Sequence, residues 1–234
     1  MHDENTTPET PDLFEGMTAI SAVLDESIRD FNDRRVLTVF VDKTRMDKKA
    51  REIAFLNRRA AELGFTVQPV HPDDLDNLTS GKTHGGIVAV CSDRTLPLLS
   101  ESMDKIKEGG FYVLLEGIED PYNFGYTVRS LYAAGADGVI LPPRNWMGVA
   151  GLVARSSAGT SEKMPMFVAE PSEVIPLFKA KGYRAACAEI RDSVDLYEAD
   201  LRVRIGYHGN FRGSLSSAAS AAVLAFEVGR QNHK

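Results

Sequence analysis

The chain has 234 residues, 43% of them hydrophobic and 26% charged, with a formal net charge of −6 at pH 7. That balance belongs to a folded chain with a sizeable core and excludes a disordered, collagen-like or fibrous polymer. No stretch approaches the ~18 uncharged apolar residues of a membrane span, and the opening MHDENTTPETPD lacks the basic and apolar segments of a secretion signal. Two cysteines, Cys91 and Cys187, lie in apolar runs with no CxxC or His-rich spacing. Neither a disulfide framework nor a metal site is therefore expected, and a reducing cytoplasm is the expected compartment.

The negative total argues against a nucleic-acid partner, but its distribution weakens that objection. Residues 1–15 hold five acids and no Lys or Arg, leaving −1 for the rest. Residues 43–59 carry seven bases (Lys43, Arg45, Lys48, Lys49, Arg51, Arg58, Arg59) against Asp47 and Glu52. Phosphate responds to such local charge more than to the total; a solvated helix face is the equally weighted alternative.

In chain order, an acidic tail precedes MTAISAVLDESI, whose apolar spacing predicts a helix. VLTVFVD predicts a strand, 47–63 a helix ended by Gly64, FTVQPV a strand, DDLDNL a short helix and GGIVAVCS a third strand. RTLPLLSESMDKIKEGG reads as a linker with a short helix. A second unit opens at FYVLLEGI, a continuous apolar run suited to a parallel sheet buried on both faces. DPYNFG punctuates the chain, YTVRSLYAAG predicts a helix, and DGVILPP a strand. NWMGVAGLVARSSAG is read as helical, MPMFVA and YRAACAEI as extended, 172–181 as a helix and SLSSAASAAVLAFEVGRQ as an Ala-rich closing helix. Strand–helix alternation in both parts predicts an α/β fold.

Phosphate-loop, dinucleotide, zinc-protease and nucleophile-elbow motifs are missing, and the five histidines are scattered. The most informative segment is LLEGIEDPYNFGYTVRSLYAAGADGVIL, residues 114–141. A buried strand delivers a loop holding Glu116, Glu119, Asp120 and Asn123 to its C-terminal end, where α/β sheets place ligands. Gly117 and Gly125 permit close approach. Arg129 is expected about one turn into the next helix, against the dipole preference. It serves either a ligand or a salt bridge to Glu119 or Asp120, and spacing does not choose.

These residues resemble the first motif of the SpoU (TrmH-like) family of SPOUT RNA methyltransferases, through Asp120, Asn123, Gly125, Arg129, Ala134, Gly135, Asp137 and Gly138. ARSSAGTSEKMPMF resembles the second through Ser157, Ala158, Gly159, Glu162 and Pro165. IGYHGNFRGSLSSAASAAVLAFE resembles the last through Ile205, Gly209, Ser214 and Leu215. The family's substrate-binding domain is echoed by Gly16, Ala19 and Ile20, and by His84, Gly86, Ile87 and Ala89. The resemblance implies four stretches: a disordered acidic tail (1–13), a small α/β RNA substrate-binding domain (14–93), a linker (94–108) and an α/β trefoil-knot (SPOUT) methyltransferase domain (109–234). It departs from the pattern where DSVDLYEADL runs straight into RVRIGYHG, too short for the family's G-x-E-G strand and helix. Ser216 also stands in place of the last motif's Asn.

The implied activity is transfer of a methyl group from S-adenosylmethionine to a ribose 2′-hydroxyl of ribosomal or transfer RNA, without metal. The alternative is a catalytically impaired RNA-binding member of the same fold. The implied catalytic residues are Arg129, Asn123, Ser214 and Ser216. Asn123 would orient Arg129 or the ribose, while the serines equally suit N-capping of the last helix. Ala188, Ile205, Gly209, Ser214 and Leu215 are the implied cofactor residues, and Lys43, Arg45, Lys48, Lys49 and Arg51 the candidate RNA-binding residues. A homodimer is the implied assembly, with MGVAGLV and the last helix as candidate interface surfaces.

Overall fold

The structure is a computed structural model that describes residues 12–79, 84–143, 149–188, 194–195, 202–205 and 215–232. Its elements are β1 (Asp12–Glu15), α1 (Gly16–Val23), β2 (Val36–Asp42), α2 (Ala50–Leu63), β3 (Thr66–Val70), α3 (Pro72–Leu78) and β4 (Ile87–Cys91). There follow β5 (Tyr112–Leu114), α4 (Pro121–Ala133), β6 (Gly138–Leu141), α5 (Ala150–Ser156), α6 (Thr160–Lys163), β7 (Met166–Val168) and α7 (Pro171–Ala180). The described chain closes with β8 (Cys187–Ala188), β9 (Val194–Asp195), β10 (Arg202–Arg204) and α8 (Ser217–Asn232). The fold is α/β, and two compact units divide it. One takes Met1–Thr95 with Trp146–Lys163, the other Leu96–Asn145 with Met164–Lys234.

The first unit is built on a mixed sheet in the order β1-β4-β2-β3. β3 runs parallel to β2, while β4 is antiparallel to both β2 and β1. Alternation along the strands sends Phe14, Val39, Val41, Ile87 and Ala89 into one core with Ala19, Ile20 and Val23 of α1. On α2, Ile53 and Leu56 face this core, and the helix ends at Gly64 in the left-handed conformation (φ 81°). β1 begins inside the stretch expected to be tail, because Phe14 is fully buried and its strand completes the sheet edge beside β4.

α5 packs on β1, and the contact is close enough to require glycine. A Cβ on Gly151 would lie 1.8 Å from the Leu13 carbonyl oxygen. A buried polar group holds the same region. Arg34 donates through Nη1 to Asp12 Oδ2 at 2.6 Å and through Nε to Glu162 Oε2 at 3.2 Å. The Asn32 amide donates to the carbonyl and to Oε2 of Glu162, both at 2.9 Å.

The second unit carries two three-stranded parallel sheets, β5-β6-β7 and β8-β10-β9. Ile140 and Phe167 of the first sheet form a core with Leu99, Ile106, Val174 and Phe178. α4 packs against α8. Gly229 makes room at this crossing, since a Cβ there would stand 3.1 Å from the Ala134 carbonyl oxygen.

One boundary changes the reading of the site. The segment DPYNFG is not a loop: α4 starts at Pro121, with Asp120 as its N-cap accepting the Asn123 N–H at 2.7 Å. Asp followed by Pro is a helix-start signal in its own right. The expected trefoil knot falls in a part of the chain where 189–193, 196–201 and 206–214 lie outside the described residues.

Candidate functional site

The N-terminal part of the site is the junction between β5 and α4. β5 is parallel to β6 and delivers the chain to the C-terminal edge of its sheet. Gly117, at φ 74°, turns the connection in a conformation that L side chains rarely adopt. Asp120 then caps α4, placing Asn123 in its first turn, half-buried.

Arg129 lies more than two turns inside α4, not one, so the expected dipole penalty does not arise. Its side chain is exposed, and no hydrogen bond or ion pair joins it to another described residue. The alternative salt bridge to Glu119 or Asp120 is therefore not formed. Six residues separate Asn123 from Arg129, which sets them about 120° apart around the helix and about 9 Å along it. No hydrogen bond joins Asn123 to Arg129, and the two groups leave α4 on different faces. Arg129 instead shares a stripe with Tyr122 and Tyr126, at helical spacings of seven and three. These tyrosines are each 48% exposed. This aromatic setting was missed in the sequence because a helix begun at 126 leaves Tyr122 outside it; the Asp-Pro start would have revealed it.

Two of the expected cofactor residues, Ala188 and Ile205, stand at the end of a second sheet. Ala188 pairs with Val203 between neighbouring parallel strands, so Ala188 and Ile205 stand near the same C-terminal edge. Ile205 and Leu215 are half-buried and Ala188 is exposed. These small and apolar groups suit a flat, weakly polar ring such as adenine. Gly209 and Ser214 lie outside the described residues. Ser216 is the N-cap of α8: its hydroxyl oxygen accepts the Ala219 N–H at 3.2 Å. That is the capping use the sequence left open, and the hydroxyl proton stays available as a donor.

The basic stretch is organised unevenly. Lys43–Arg45 form a 3-10 turn, and α2 starts only at Ala50. Lys43, Arg45, Lys48 and Arg51 are exposed, whereas Lys49 is half-buried and pairs with Glu52 at 3.6 Å. Arg45 Nε contacts Asp42 Oδ2 at 3.0 Å. Of the two remaining bases, Arg59 is paired with Glu26 and Glu62, and Arg58 stacks over the Phe55 ring at 5.7 Å. Among the described residues no group of three or more His, Cys, Asp or Glu could hold a metal ion, and no helix is long and apolar enough to cross a membrane.

The comparisons with known proteins agree with this layout. Residues 110–224 match the profile of the SpoU rRNA methylase family, and residues 13–97 match RNA 2′-O ribose methyltransferase substrate binding. The chain belongs to the SpoU methylase family. A 23S rRNA (guanosine-2′-O-)-methyltransferase, RlmB, of Bordetella pertussis is 34% identical over 128 residues, 54% of this chain and 51% of its own length. The chain thus spans about half the length of that relative. RlmB of Shewanella oneidensis is 27% identical over 195 residues, 82% of this chain and 76% of that one. The fold resembles that of an AdoMet-bound rRNA methyltransferase from Sinorhizobium meliloti (TM-score 0.72, 21% identity, 94% of this chain and 87% of that chain). It also resembles the SpoU methyltransferase AviRb from Streptomyces viridochromogenes, solved with AdoMet (TM-score 0.71, 20% identity, 96% and 91%).

Proposed function

We propose that this SpoU-family chain transfers the methyl group of S-adenosylmethionine to a ribose 2′-hydroxyl of ribosomal or transfer RNA in the cytoplasm. The observation that carries this reading is Arg129: an exposed guanidinium, unpaired among the described residues, on the helix that follows β5. Guanidinium stays protonated at ordinary pH, so it is no general base. Its planar fork suits a bidentate grip on the phosphate beside the target ribose, and its charge stabilises the alkoxide as the hydroxyl proton departs. Asn123, on another face, is assigned to orienting the ribose.

Ala188, Ile205 and Leu215 would hold the adenosine of the cofactor, with Gly209 and Ser214 completing the set that the family resemblance implies. The sulfonium supplies an already activated methyl group. The chain's own task is to bring sugar oxygen and methyl carbon into line, an effect worth on the order of 7–11 kcal/mol when fully realised. Lys43, Arg45, Lys48, Lys49 and Arg51 would hold RNA backbone on the N-terminal unit.

The same reading includes a homodimer. Tyr122, Tyr126 and Tyr132 of α4, together with Val223 and Phe226 of α8, are exposed large hydrophobics on two helices that pack against each other. A second copy covering them would bring apolar surface to the border of Arg129. Here α8, rather than the MGVAGLV stretch, carries the exposed apolar side chains: α5 is engaged on β1, and 144–148 lie outside the described residues.

The test is methyl transfer from tritiated S-adenosylmethionine to ribosomal RNA transcribed in vitro. Arg129→Ala is expected to lower kcat by about 10²–10³, as loss of one charge-stabilising donor does; undiminished transfer would remove Arg129 from its role. The engagement of Ser216 as a cap favours a second reading, an RNA-binding chain that does not methylate. Calorimetry with S-adenosylmethionine separates the two: one-site binding supports the enzyme, and no binding supports the second reading.

A further inference from the structure

Within the basic stretch one guanidinium is built into a fixed setting, and the residues that fix it lie far apart in sequence. Asp42 ends β2 with its side chain almost wholly buried. Its Oδ1 accepts both the N–H and the hydroxyl of Thr44, at 2.8 and 2.6 Å. Its Oδ2 faces Arg45 Nε at 3.0 Å, while the Arg45 side chain remains 53% exposed. The carboxylate therefore lies against the Nε side of the guanidinium as an ion pair, while the side chain as a whole stays about half in solvent.

The stem of Arg45 is fixed from the other side by the turn before β4. The Gly86 carbonyl accepts the Asp42 N–H at 2.9 Å, which draws the two backbones together. A Cβ on Gly86 would stand 3.0 Å from Arg45 Cδ and 3.3 Å from Asp42 Cβ, and the residue sits at φ 82°. Glycine is required both for the turn and for the passage of the arginine stem. The Gly86 N–H in turn donates to His84 Nδ1 at 3.0 Å, and His84 Nε2 contacts Asp76 Oδ1 at 2.9 Å. His84 is buried, so this chain of bonds anchors the turn.

A buried carboxylate beside an exposed arginine lowers local positive charge, which is the wrong direction for general attraction of a polyanion. It is the right arrangement for a guanidinium whose direction matters more than its charge. We infer that Arg45 is a directed phosphate clamp on the RNA backbone, and that Asp42, Thr44 and Gly86 are its positioning residues. Lys43 and Lys48, exposed on the same stretch, supply undirected charge around it. The inference rests on the RNA-modifying reading above and names one binding site within it.

The experiment is fluorescence anisotropy of the full chain with labelled fragments of 23S ribosomal RNA over a potassium chloride series, with circular dichroism confirming each variant's fold. Arg45→Ala is expected to weaken binding roughly tenfold and to lower the slope of log affinity against log salt by about 0.7–0.9, one phosphate contact. Arg45→Lys, which keeps the charge on an exposed turn, is expected to recover less than half of that loss in log affinity. Asp42→Asn is the decisive variant. Removing a negative charge should tighten RNA binding if charge alone matters, whereas loss of positioning weakens it. Thr44→Val, at an exposed position, is expected to weaken binding in the same direction and covers the case in which Asp42→Asn fails to fold. Tighter binding by either variant, or an unchanged salt slope in Arg45→Ala, overturns the clamp while leaving the methyltransferase reading intact. A wild-type chain that binds no ribosomal RNA fragment overturns both.

Discussion

A single carboxylate carries part of the acid tolerance of the N-terminal unit. Lys163 Nζ donates to Asp25 Oδ2 at 2.9 Å, and the N–H and hydroxyl of Ser27 donate to Oδ1 at 3.0 and 2.7 Å. These bonds, that of Lys163 first, hold the Asp25 carboxyl down at about 2 against an ordinary 3.8. The folded value lies below the unfolded one, so this contribution is fully present above about pH 4–5 and fades as pH falls through 2. Both side chains are about one-third exposed, which keeps the effect small and sensitive to salt. Thermal melts between pH 5 and 2 should show Asp25→Asn less stable than the parent at pH 5, with the gap closing toward pH 2. A constant gap would assign its cause to something other than ionisation.

At the scale of elements, the docking of α5 on β1 depends on one missing side chain. Gly151→Ala places a methyl group 1.8 Å from the Leu13 carbonyl oxygen, and backbone does not yield as a flexible side-chain end does. The expected result is a loss of about 2–4 kcal/mol in urea unfolding, above the cost of ordinary overpacking; a loss below 1 kcal/mol would mean that α5 shifts freely on the strand. Elements also differ in how well the sequence displays them. α2 announces itself through the spacing of Ile53 and Leu56 and through Gly64, all local signals. α4 was legible from Tyr126 onward but not at its start, because Pro121, Asn123 and Gly125 are residues that equally serve a turn. What decides for helix is Asp120, whose side chain satisfies the Asn123 N–H, together with the burial of Phe124, Gly125, Thr127 and Val128. The misplaced start hid the Tyr122–Tyr126–Arg129 stripe.

At the scale of the whole chain, Arg34 joins segments that are remote in sequence. Asp12 and Glu162 lie 22 and 128 residues from it. Burial disfavours its charge, but Glu162 and Asp12 outweigh that cost and its affinity for its proton is raised. Arg34→Met strands two carboxylates in the interior and is expected to destabilise the N-terminal unit by about 3–5 kcal/mol in chemical unfolding. Assembly is tested at the same scale. Phe226→Asp, on a side chain 54% exposed, should convert the proposed dimer to a monomer in light scattering with little change in the monomer's secondary structure. A monomeric parent chain would sink the dimer outright.

The sequence alone determined the α/β class, the family motifs and most strand and helix interiors, because each of these is written in residues within a few turns of one another. Periodic burial needs only neighbours, and so do capping and turn chemistry. The tertiary structure decided which partners meet: Arg34 with Glu162, Arg45 and Asp42 with Gly86, and α5 with β1. Such pairings have no period and no local cost until the chain compacts. Their energies come from desolvation and close approach, and these exist only once remote backbone has arrived.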